Sequence, residues 1–239
     1  MLVEVIACTL ADAVVARDAG ADRVELCLAF EVGGLTPYIE TVRQMETLGS
    51  FPVVVIVRPR SGGFVHQFEQ ILQQIDSLLA LNLSNIQIIT GALTEDNHLD
   101  RKALKTIRDR TSGTILACHR CFDLTPDPFA ALEQLIDLGF DRVLTSGQAP
   151  TAPEGTEVIA KLVEQANGRI EIIAGSGVRP HNVQELIALT GVTQVHASCF
   201  ADSPPLSGAV NYGPTLAVSA QKFEVLKEAT IGSLGSQPG

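Results

Sequence analysis

Aromatic residues are scarce in this sequence. Tryptophan is absent, and phenylalanine, tyrosine and tryptophan together make up 5% of the 239 residues. Basic residues are also few, with 17 lysines and arginines against 27 acidic residues, which gives a formal net charge of −10. Nucleic-acid binding depends on lysine and arginine meeting phosphate, so we expect no nucleic-acid partner. Hydrophobic residues make up 46%, which predicts a large, mostly aliphatic core.

Membrane and secretion signals are missing as well. No run approaches the roughly 18 uninterrupted apolar residues that a membrane span needs. The first residues lack the basic segment and cleavage site of a signal peptide. Five cysteines, an odd number scattered along the chain, do not suggest a disulfide framework. We therefore expect a cytoplasmic protein with no membrane partner.

Short apolar runs rich in valine and isoleucine recur along the chain. Most are too uniformly apolar to alternate between core and water, which is typical of parallel strands buried on both faces. The predicted strands are Leu2–Ala7, Arg23–Leu26, Val53–Val57, Ile86–Ile89, Thr114–Cys118, Arg142–Thr145, Ile170–Ala174 and Gln194–His196.

Between most of these runs, apolar residues recur three or four apart, as on one face of a helix. Examples are Phe68–Leu81, Leu99–Arg110, Pro128–Leu138, Thr156–Ala166 and Pro180–Leu189. Glycines such as Gly20, Gly139 and Gly191 stand where helices are expected to end. Eight strand–helix units predict an α/β fold, a single-domain (β/α)8 TIM barrel over residues 1–200. An open doubly wound sheet is the alternative, since periodicity does not prove closure.

The remaining residues, 201–239, do not continue the strand–helix pattern of the barrel. Ser203–Gly208 and Asn211–Pro214 are predicted as loop, Ala217–Ala229 as a short amphipathic helix and Gly232–Gly239 as a frayed tail. We expect this segment to be attached to the barrel.

Polar and ionisable residues cluster directly after the predicted strands. In a TIM barrel these positions meet at the carboxyl end of the strands, where active sites form. The residues are Glu25, Cys27, Arg58, Arg60, His119, Arg120, Asp123, Gly175, Ser176, Gly177 and His196. Burying a charge costs several kcal/mol unless it is paired, so these charges either neutralise one another or bind something. An ion-pair network that closes the barrel is the first interpretation, and a ligand site is the one we favour.

Two kinds of chemistry fit these residues. Glu25, His119 and Asp123 are candidate catalytic residues, because histidine titrates near neutrality and carboxylates orient or accept its proton. Gly175, Ser176 and Gly177 lie between a strand and a helix, the setting of a backbone cradle for phosphate. A tight corner with no ligand is the alternative. The further candidates for binding an anionic substrate are Arg58, Arg60, Arg120 and His196.

The cysteines allow a third kind of chemistry. Cys118 and Cys121 have C-x-x-C spacing, but no second pair completes a zinc site. Cys27, Cys121 and Cys199 fall just beyond strand ends, and thiolates select soft ions such as Cu(I). The alternative is that these cysteines are small buried hydrophobic residues.

Several segments together resemble the CutC family. They are Glu4–Ala7, Gly20–Cys27, Gly33–Pro37, Arg58–Arg60, Gly91–Asp96, His119–Arg120, Phe122–Asp123, Leu144–Gly147 and Val195–Ser198. The resemblance runs in order from about residue 3 to residue 200. It implies a cytoplasmic (β/α)8 barrel that forms homo-oligomers, with a role in copper tolerance or Cu(I) binding. It also implies Cys27, in the matching Glu-Leu-Cys motif, as a copper ligand.

The sequence departs from the family pattern at three places. Cysteines occupy positions 118 and 121, around a motif that usually reads Phe-His-Arg-Ala-Phe-Asp. Ala174-Gly175-Ser176-Gly177 replaces a proline and three glycines, and Phe64 follows Gly62-Gly63 where aspartate is typical.

Two functions are therefore expected, both centred on one opening. The resemblance implies a cytoplasmic copper homeostasis protein that binds Cu(I) weakly through Cys27. The alternative is a TIM-barrel enzyme that acts on a small anionic or phosphorylated substrate by acid–base chemistry. A non-catalytic oligomeric scaffold is a third possibility that no residue directly supports.

Overall fold

Eight parallel strands close into a barrel within residues 1–65, 68–201 and 216–231, which the computed structural model describes. Each strand pairs with the next in sequence, and the first pairs with the last. This closed order confirms the (β/α)8 TIM barrel and makes the open doubly wound sheet wrong. The strands are β1 Leu2–Ala7, β2 Arg23–Leu26, β3 Val53–Val57, β4 Ile86–Thr90, β5 Leu116–Cys118, β6 Arg142–Thr145, β7 Glu171–Gly175 and β8 Gln194–Ala197.

Helices follow the strands and form the outer layer. They are α1 Leu10–Asp18, α2 Ile39–Gln44, α3 Phe68–Leu79, α4 Arg101–Arg110, α5 Pro128–Asp137, α6 Thr156–Ala166, α7 Val183–Thr190 and α8 Ala220–Ile231. Three 3-10 helices, Phe30–Val32, Met45–Leu48 and Arg120–Leu124, lie in the connections. Gly139 and Gly191 adopt positive φ angles of 75° and 71° directly after α5 and α7, as the sequence predicts for helix ends. No helix in the described part of the chain is both long enough and apolar enough to cross a membrane.

Some element boundaries differ from the prediction. The helix predicted from Pro180 begins at Val183, because the side chain of Asn182 binds the N–H of Arg179 and the carbonyl of Gly177 in a turn. The strand predicted from Thr114 begins at Leu116, where the carboxylate of Asp141 accepts the backbone N–H. Both β4 and β8 end one residue later than predicted, and β7 begins and ends one residue later.

The last helix completes the outer layer. It begins at Ala220 rather than Ala217, because Val218 forms a bridge with Phe200 and donates its N–H to Asp12 Oδ1 at 2.9 Å. It packs against α7 and α1 and buries Phe223. The predicted loops at Ser203–Gly208 and Asn211–Pro214 and the predicted tail Gly232–Gly239 lie outside the described residues.

The core has two parts, one between the sheet and the helices and one inside the barrel. The interior part contains Ile6, Cys27, Val54, Ile56, Ile89, Ala117, Leu144 and Ile173. Polar side chains bond to one another below it, at the amino end of the strands. Arg142 binds Glu171 at 2.6 Å and Gln87 at 2.5 Å, and Arg23 binds Gln194 at 2.7 Å. This layer fills the amino end of the barrel.

Candidate functional site

A cavity of about 370 Å³ opens at the carboxyl end of the barrel. Polar and charged side chains on its wall come from five of the strands, β2, β3, β5, β7 and β8, or from the loops that follow them, as expected for a TIM barrel. The lining includes Glu25, Cys27, Phe30, Gly33, Gly34, Arg58, Phe64, His119, Arg120, Ser176, Gly177, Val178, Arg179, His196 and Ser198, above the apolar side chains of Ile6, Ile56 and Leu144.

Strand register brings four buried charged residues together at the floor of this cavity. Glu4 on β1 is paired with Arg23 on β2 and with His196 on β8. Paired residues in a parallel sheet point to the same face, so all three side chains project inward. Arg23 donates from Nε to Glu4 Oε2, and His196 Nδ1 lies 2.7 Å from Glu4 Oε1. Glu25, opposite Ile6 on β1, lies above this group.

Gly175 makes room for the histidine. It is the partner of His196 in the β7–β8 register. A Cβ atom on Gly175 would lie 2.6 Å from Leu144 Cδ1 and 3.3 Å from His196 Cβ. Gly175 therefore supports the cavity floor, and it is not among the residues that line the cavity.

Burial and neighbouring charges set the protonation of the floor. Burial alone would raise the pKa of Glu4, but Arg23 and His196 outweigh it and lower that pKa to about 2. Burial raises the pKa of Glu25 from 4.5 to about 7, and the Glu4 carboxylate adds to the rise. Burial alone would lower the pKa of His196, but the carboxylates of Glu25 and Glu4 raise it. Near neutral pH the cavity floor therefore holds an ionised Glu4, a Glu25 whose pKa is close to the pH of the solution, and a His196 that is protonated more easily than a free histidine.

Two residues of this group have incomplete bonding within the described part of the chain, Arg23 at Nη1 and Glu25 at Oε2. The Glu25 side chain is buried, and its Oε2 has no hydrogen-bond partner among the described residues. The ligand atoms of Glu4, Glu25 and His196 lie within 4.8 Å of one another, close enough to hold a metal ion. Glu4 already accepts from Arg23 and His196, and the Arg23 guanidinium repels a cation. We therefore interpret the group as a proton-transfer site with one carboxyl oxygen available to a ligand.

Arg58 holds the cavity wall. Its Nη1 donates to the carbonyls of Val32 and Gly34 at 2.9 and 3.1 Å, and its Nη2 donates to Gly62 at 2.9 Å. The guanidinium also lies 4.7 Å from the centre of the Phe64 ring. Its buried Nε has no acceptor in the described part of the chain. Arg58 is thus mainly a clamp between two loops, with one donor left for a ligand.

His119 is a cavity-wall residue with a capping role. Its Nδ1 accepts the backbone N–H of Cys121 at 3.3 Å, at the start of the 3-10 helix Arg120–Leu124. Its ring packs against Phe64 with centroids 4.9 Å apart. Gly91 leaves space for this arrangement, because a Cβ there would lie 2.3 Å from Cys121 Sγ. The predicted catalytic role of His119 stays a prediction.

Asp123 does not line the cavity, contrary to expectation. Its carboxylate is almost fully buried and binds Arg120 Nε at 2.8 Å, Thr145 Oγ1 at 2.5 Å and both the backbone N–H and the hydroxyl of Ser146. It ties the 3-10 helix to the end of β6 and so positions Arg120, whose Nη2 donates to Ser146 Oγ at 2.6 Å. These bonds occupy the carboxylate and make Asp123 a support of the site, and its predicted catalytic role stays a prediction.

Arg60 is the second residue that the structure places elsewhere. It is exposed, and its guanidinium donates to the carbonyls of Ser61 and Val65 in its own loop. The two arginines of the Arg-Pro-Arg motif, separated by Pro59, therefore have different surroundings.

The turn after β7 forms one side of the cavity. Ser176 and Gly177 line it, both with positive φ angles, of 77° and 71°. The N–H groups of Gly177 and Val178 have no hydrogen-bond acceptor among the described residues. The exposed Arg179 lies beside them on the cavity rim. Backbone donors and a guanidinium at one spot are suited to an anion.

The cysteines form two close pairs. Cys27 lines the cavity, and its Sγ lies 3.9 Å from Cys8 Sγ. The Cys8 thiol and burial raise the pKa of Cys27, whereas the hydrogen bond with Cys27 lowers the pKa of Cys8. The sulfurs of Cys118 and Cys121 lie 3.8 Å apart in the core behind β5. Cys199 is half-buried and belongs to neither pair.

The structure thus brings together most of the site residues predicted from sequence. Those on the cavity wall are Glu25, Cys27, Arg58, His119, Arg120, Ser176, Gly177 and His196. The prediction missed Glu4 and Arg23 below the floor and Arg179 at the rim. Glu4 is the one charged residue within the otherwise apolar β1, and Arg23 lies two residues before Glu25 on β2, signals that could have found them.

Three comparisons with known proteins point to the same family. The CutC family model matches residues 1–201. The CutC family protein of Glaesserella parasuis serovar 5 (strain SH0165) is 38% identical over 212 residues, covering 88% of this chain and 87% of that protein. The copper homeostasis protein cutC homolog of Homo sapiens is 36% identical over 242 residues, covering 98% and 88%. The crystal structure of CutC from Streptococcus agalactiae matches with a TM-score of 0.77 at 34% identity, covering 83% of this chain and 98% of that one.

Proposed function

The chain belongs to the CutC family, and we propose that the cavity of its barrel is a catalytic site that transfers a proton on a small anionic substrate. The observation that carries the proposal is Glu25, a buried carboxyl group on the cavity wall with one oxygen unbonded among the described residues. An unsatisfied buried carboxyl group costs stability. A ligand that bonds to it removes that cost.

Glu25 and His196 supply the proton transfer. Glu4 is ionised and accepts from His196 Nδ1 at 2.7 Å, which places the imidazole proton on Nδ1. The other ring nitrogen, Nε2, is then the atom that accepts or delivers a proton. Glu25 acts as the second group, since a carboxyl that titrates near neutrality serves as acid or base. One residue removes a proton from the substrate and the other returns one.

The anionic part of the substrate is held at the cavity rim, by the loops after β5 and β7. Arg120 and Arg179 line this part, beside the backbone donors of Gly177 and Val178. These cations stand out in a chain with a net charge of −10. Because oppositely charged ligands concentrate at such a local positive field, a carboxylate or phosphate is the group that we expect there.

Isothermal titration calorimetry tests this binding. The probes are inorganic phosphate, pyruvate and 3-phosphoglycerate, titrated into the wild type and into Arg179→Ala and Arg60→Ala variants. We expect at least one probe to bind, and Arg179→Ala to weaken it about tenfold, or about 1.4 kcal/mol. Arg60→Ala is the matched control, because its exposed guanidinium does not line the cavity. No heat from any probe, or equal losses in the two variants, contradicts the proposal.

Cu(I) binding is the second candidate function, and the Cys8–Cys27 pair favours it. The human relative is named as a copper homeostasis protein. Thiolates prefer soft ions such as Cu(I). Two sulfurs 3.9 Å apart fit a single ion with metal–sulfur bonds of about 2.3 Å, the length known for zinc. Cu(I) would be held here as cargo by Cys8 and Cys27.

An anaerobic Cu(I) titration against a chromogenic chelator tests this second candidate. We expect Cys27→Ser and Cys8→Ser each to lose most of the affinity, and Cys199→Ser to keep it. Cys199 is the control, because it is half-buried like Cys8 but has no sulfur neighbour among the described residues. Equal affinities in all four proteins would exclude this pair as the copper site.

A further inference from the structure

Two thiol pairs in this chain have nearly the same sulfur separation but very different surroundings. Cys8 and Cys27 lie 3.9 Å apart, and Cys118 and Cys121 lie 3.8 Å apart. Cys118 and Cys121 have no exposed surface and belong to the core cluster behind the sheet. Cys8 is half-buried, so it alone of these four thiols is open to a small reagent from solvent.

The backbone places Cys8 and Cys27 side by side, each one residue beyond the end of an adjacent strand. The register pairs Ala7 with Leu26, and the N–H of Cys27 donates to the carbonyl of Ala7 at 3.0 Å. Cys8 and Cys27 are the residues that directly follow this pair. Adjacent strands lie about 4.8 Å apart, and disulfides join Cα atoms about 4.4 to 6.8 Å apart. A bond between the two sulfurs therefore requires no displacement of β1 or β2.

We propose that Cys8 and Cys27 are a peroxide-sensitive dithiol, in which Cys8 is oxidised first and Cys27 then closes a disulfide. In the first step the Cys8 thiolate attacks one oxygen of hydrogen peroxide, and the O–O bond breaks. Cys8 becomes a sulfenic acid, and the released hydroxide takes up a proton to form water. In the second step Cys27 attacks the Cys8 sulfur, the S–O bond breaks, and the hydroxyl leaves as water with the Cys27 proton. The two thiols lose two electrons and the peroxide is reduced to two waters.

Accessibility determines which pair reacts. Peroxide must reach the first sulfur, and it reaches Cys8 but not the fully buried Cys118 and Cys121. The second sulfur needs no solvent contact, because the attack takes place within the protein. Cys27, 1% exposed, is suited to that second role.

The disulfide would change the cavity as well as the thiols. Cys27 forms part of the cavity wall and packs against Gly34, where a Cβ atom would lie 3.3 Å from Cys27 Cβ. The carbonyl of Gly34 is in turn held by Arg58. Moving the Cys27 sulfur toward Cys8 would therefore alter this part of the cavity wall. It also removes both sulfurs as ligands for a soft metal ion.

Mass spectrometry of the full chain tests the proposal. Wild type, Cys199→Ser, Cys8→Ser and Cys27→Ser proteins are treated with one equivalent of hydrogen peroxide and digested without reduction. We expect the wild type and Cys199→Ser to lose the mass of two hydrogens and to yield one peptide cross-linked between Cys8 and Cys27. In Cys27→Ser we expect dimedone to trap a sulfenic acid on Cys8. In Cys8→Ser we expect no disulfide.

Two outcomes overturn the proposal. One is a disulfide between Cys118 and Cys121 in place of the expected one. The other is a wild-type protein that keeps all five thiols, or acquires only oxygen atoms on Cys8, under conditions where an added model dithiol is oxidised. Circular dichroism confirms that each variant is folded, and Cys27→Ala replaces Cys27→Ser if the serine variant does not fold.

Discussion

At the scale of single residues, Glu4 joins the buried charged side chains beneath the cavity. It is buried between Arg23 and His196 and bonds to both. Arg23 and His196 outweigh the effect of burial and lower its pKa to about 2, so it stays ionised near neutral pH. Its contribution to stability is complete above its ordinary pKa of 4.5 and is lost as the pH falls toward 2.

We predict that Glu4→Gln lowers the free energy of unfolding at pH 7 by about 3 to 5 kcal/mol, because it leaves the buried Arg23 charge unpaired. Chemical denaturation measures the change. Glu157→Gln is the control, since Glu157 pairs with Lys161 on the exposed surface of α6 and should matter little. Similar losses in the two variants would mean that the Glu4–Arg23 pair is not buried as described.

Glu25 changes the pH dependence of stability in the opposite direction to Glu4. Because burial raises its pKa from 4.5 to about 7, the native state keeps the proton in this interval while the unfolded state loses it. Wild-type stability therefore falls as the pH rises from about 4.5 to 7.

We predict that Glu25→Gln is as stable as the wild type at pH 4 and more stable at pH 8, by about 2 to 3 kcal/mol. Thermal and chemical unfolding at the two pH values measure the difference. Glu185→Gln, which changes an exposed carboxylate on α7, should have the same small effect at both. A Glu25→Gln effect that does not depend on pH would show that Glu25 is not held protonated. A gain in stability on removing a polar side chain is typical of functional sites.

At the scale of elements, one carboxylate joins three parts of the fold. Asp12 Oδ2 accepts hydrogen bonds from the N–H groups of Cys8 and Thr9 and from the Thr9 hydroxyl. Thr9 and Asp12 together form a capping box at the start of α1. Asp12 Oδ1 accepts the N–H of Val218, ahead of α8. The same residue therefore fixes the β1–α1 turn that carries Cys8 and anchors the last helix.

We predict that Asp12→Ala lowers the free energy of unfolding by about 2 to 4 kcal/mol, because it removes a helix cap and leaves buried N–H groups unbonded. Asp100→Ala is the matched control, since Asp100 caps α4 through a single bond from Ala103 and should cost about 1 kcal/mol. Urea denaturation of both variants checks this. Equal losses would mean that the bond to Val218 contributes nothing.

Element boundaries and side-chain direction were predictable from sequence to different degrees. Uniformly apolar strands rich in valine and isoleucine are readily found, and β1, β2, β3 and β6 have their predicted bounds. The start of α7 was not predictable from Pro180, because a side-chain turn at Asn182 delays the helix. Whether a loop residue faces the cavity depends on backbone direction after the strand. This is why Arg58 and Arg60, two residues apart, have different surroundings.

At the scale of the whole molecule, the carboxyl end of the barrel could be predicted as the site, but the pairing of its charges could not. Asp123 follows a strand like the other candidates, yet its carboxylate is taken up by Arg120, Thr145 and Ser146. Glu4 and His196 are 192 residues apart in sequence and meet only because the barrel closes. Register between β1 and β8 follows from closure, and local patterns contain no information about it.

Deuterium exchange tests the central claim most directly. Three-carbon sugar phosphates and 2-keto acids, including dihydroxyacetone phosphate and pyruvate, are incubated with the protein in D₂O, and proton NMR follows loss of the carbon-bound hydrogens next to the carbonyl. We predict exchange above the buffer rate for at least one compound. We also predict that Glu25→Gln and His196→Gln each slow it at least a hundredfold, as expected for loss of a general acid or base, while Arg60→Ala exchanges at the wild-type rate. No exchange of any compound, or exchange that survives both Glu25→Gln and His196→Gln, would contradict a proton-transfer site at the floor of this barrel.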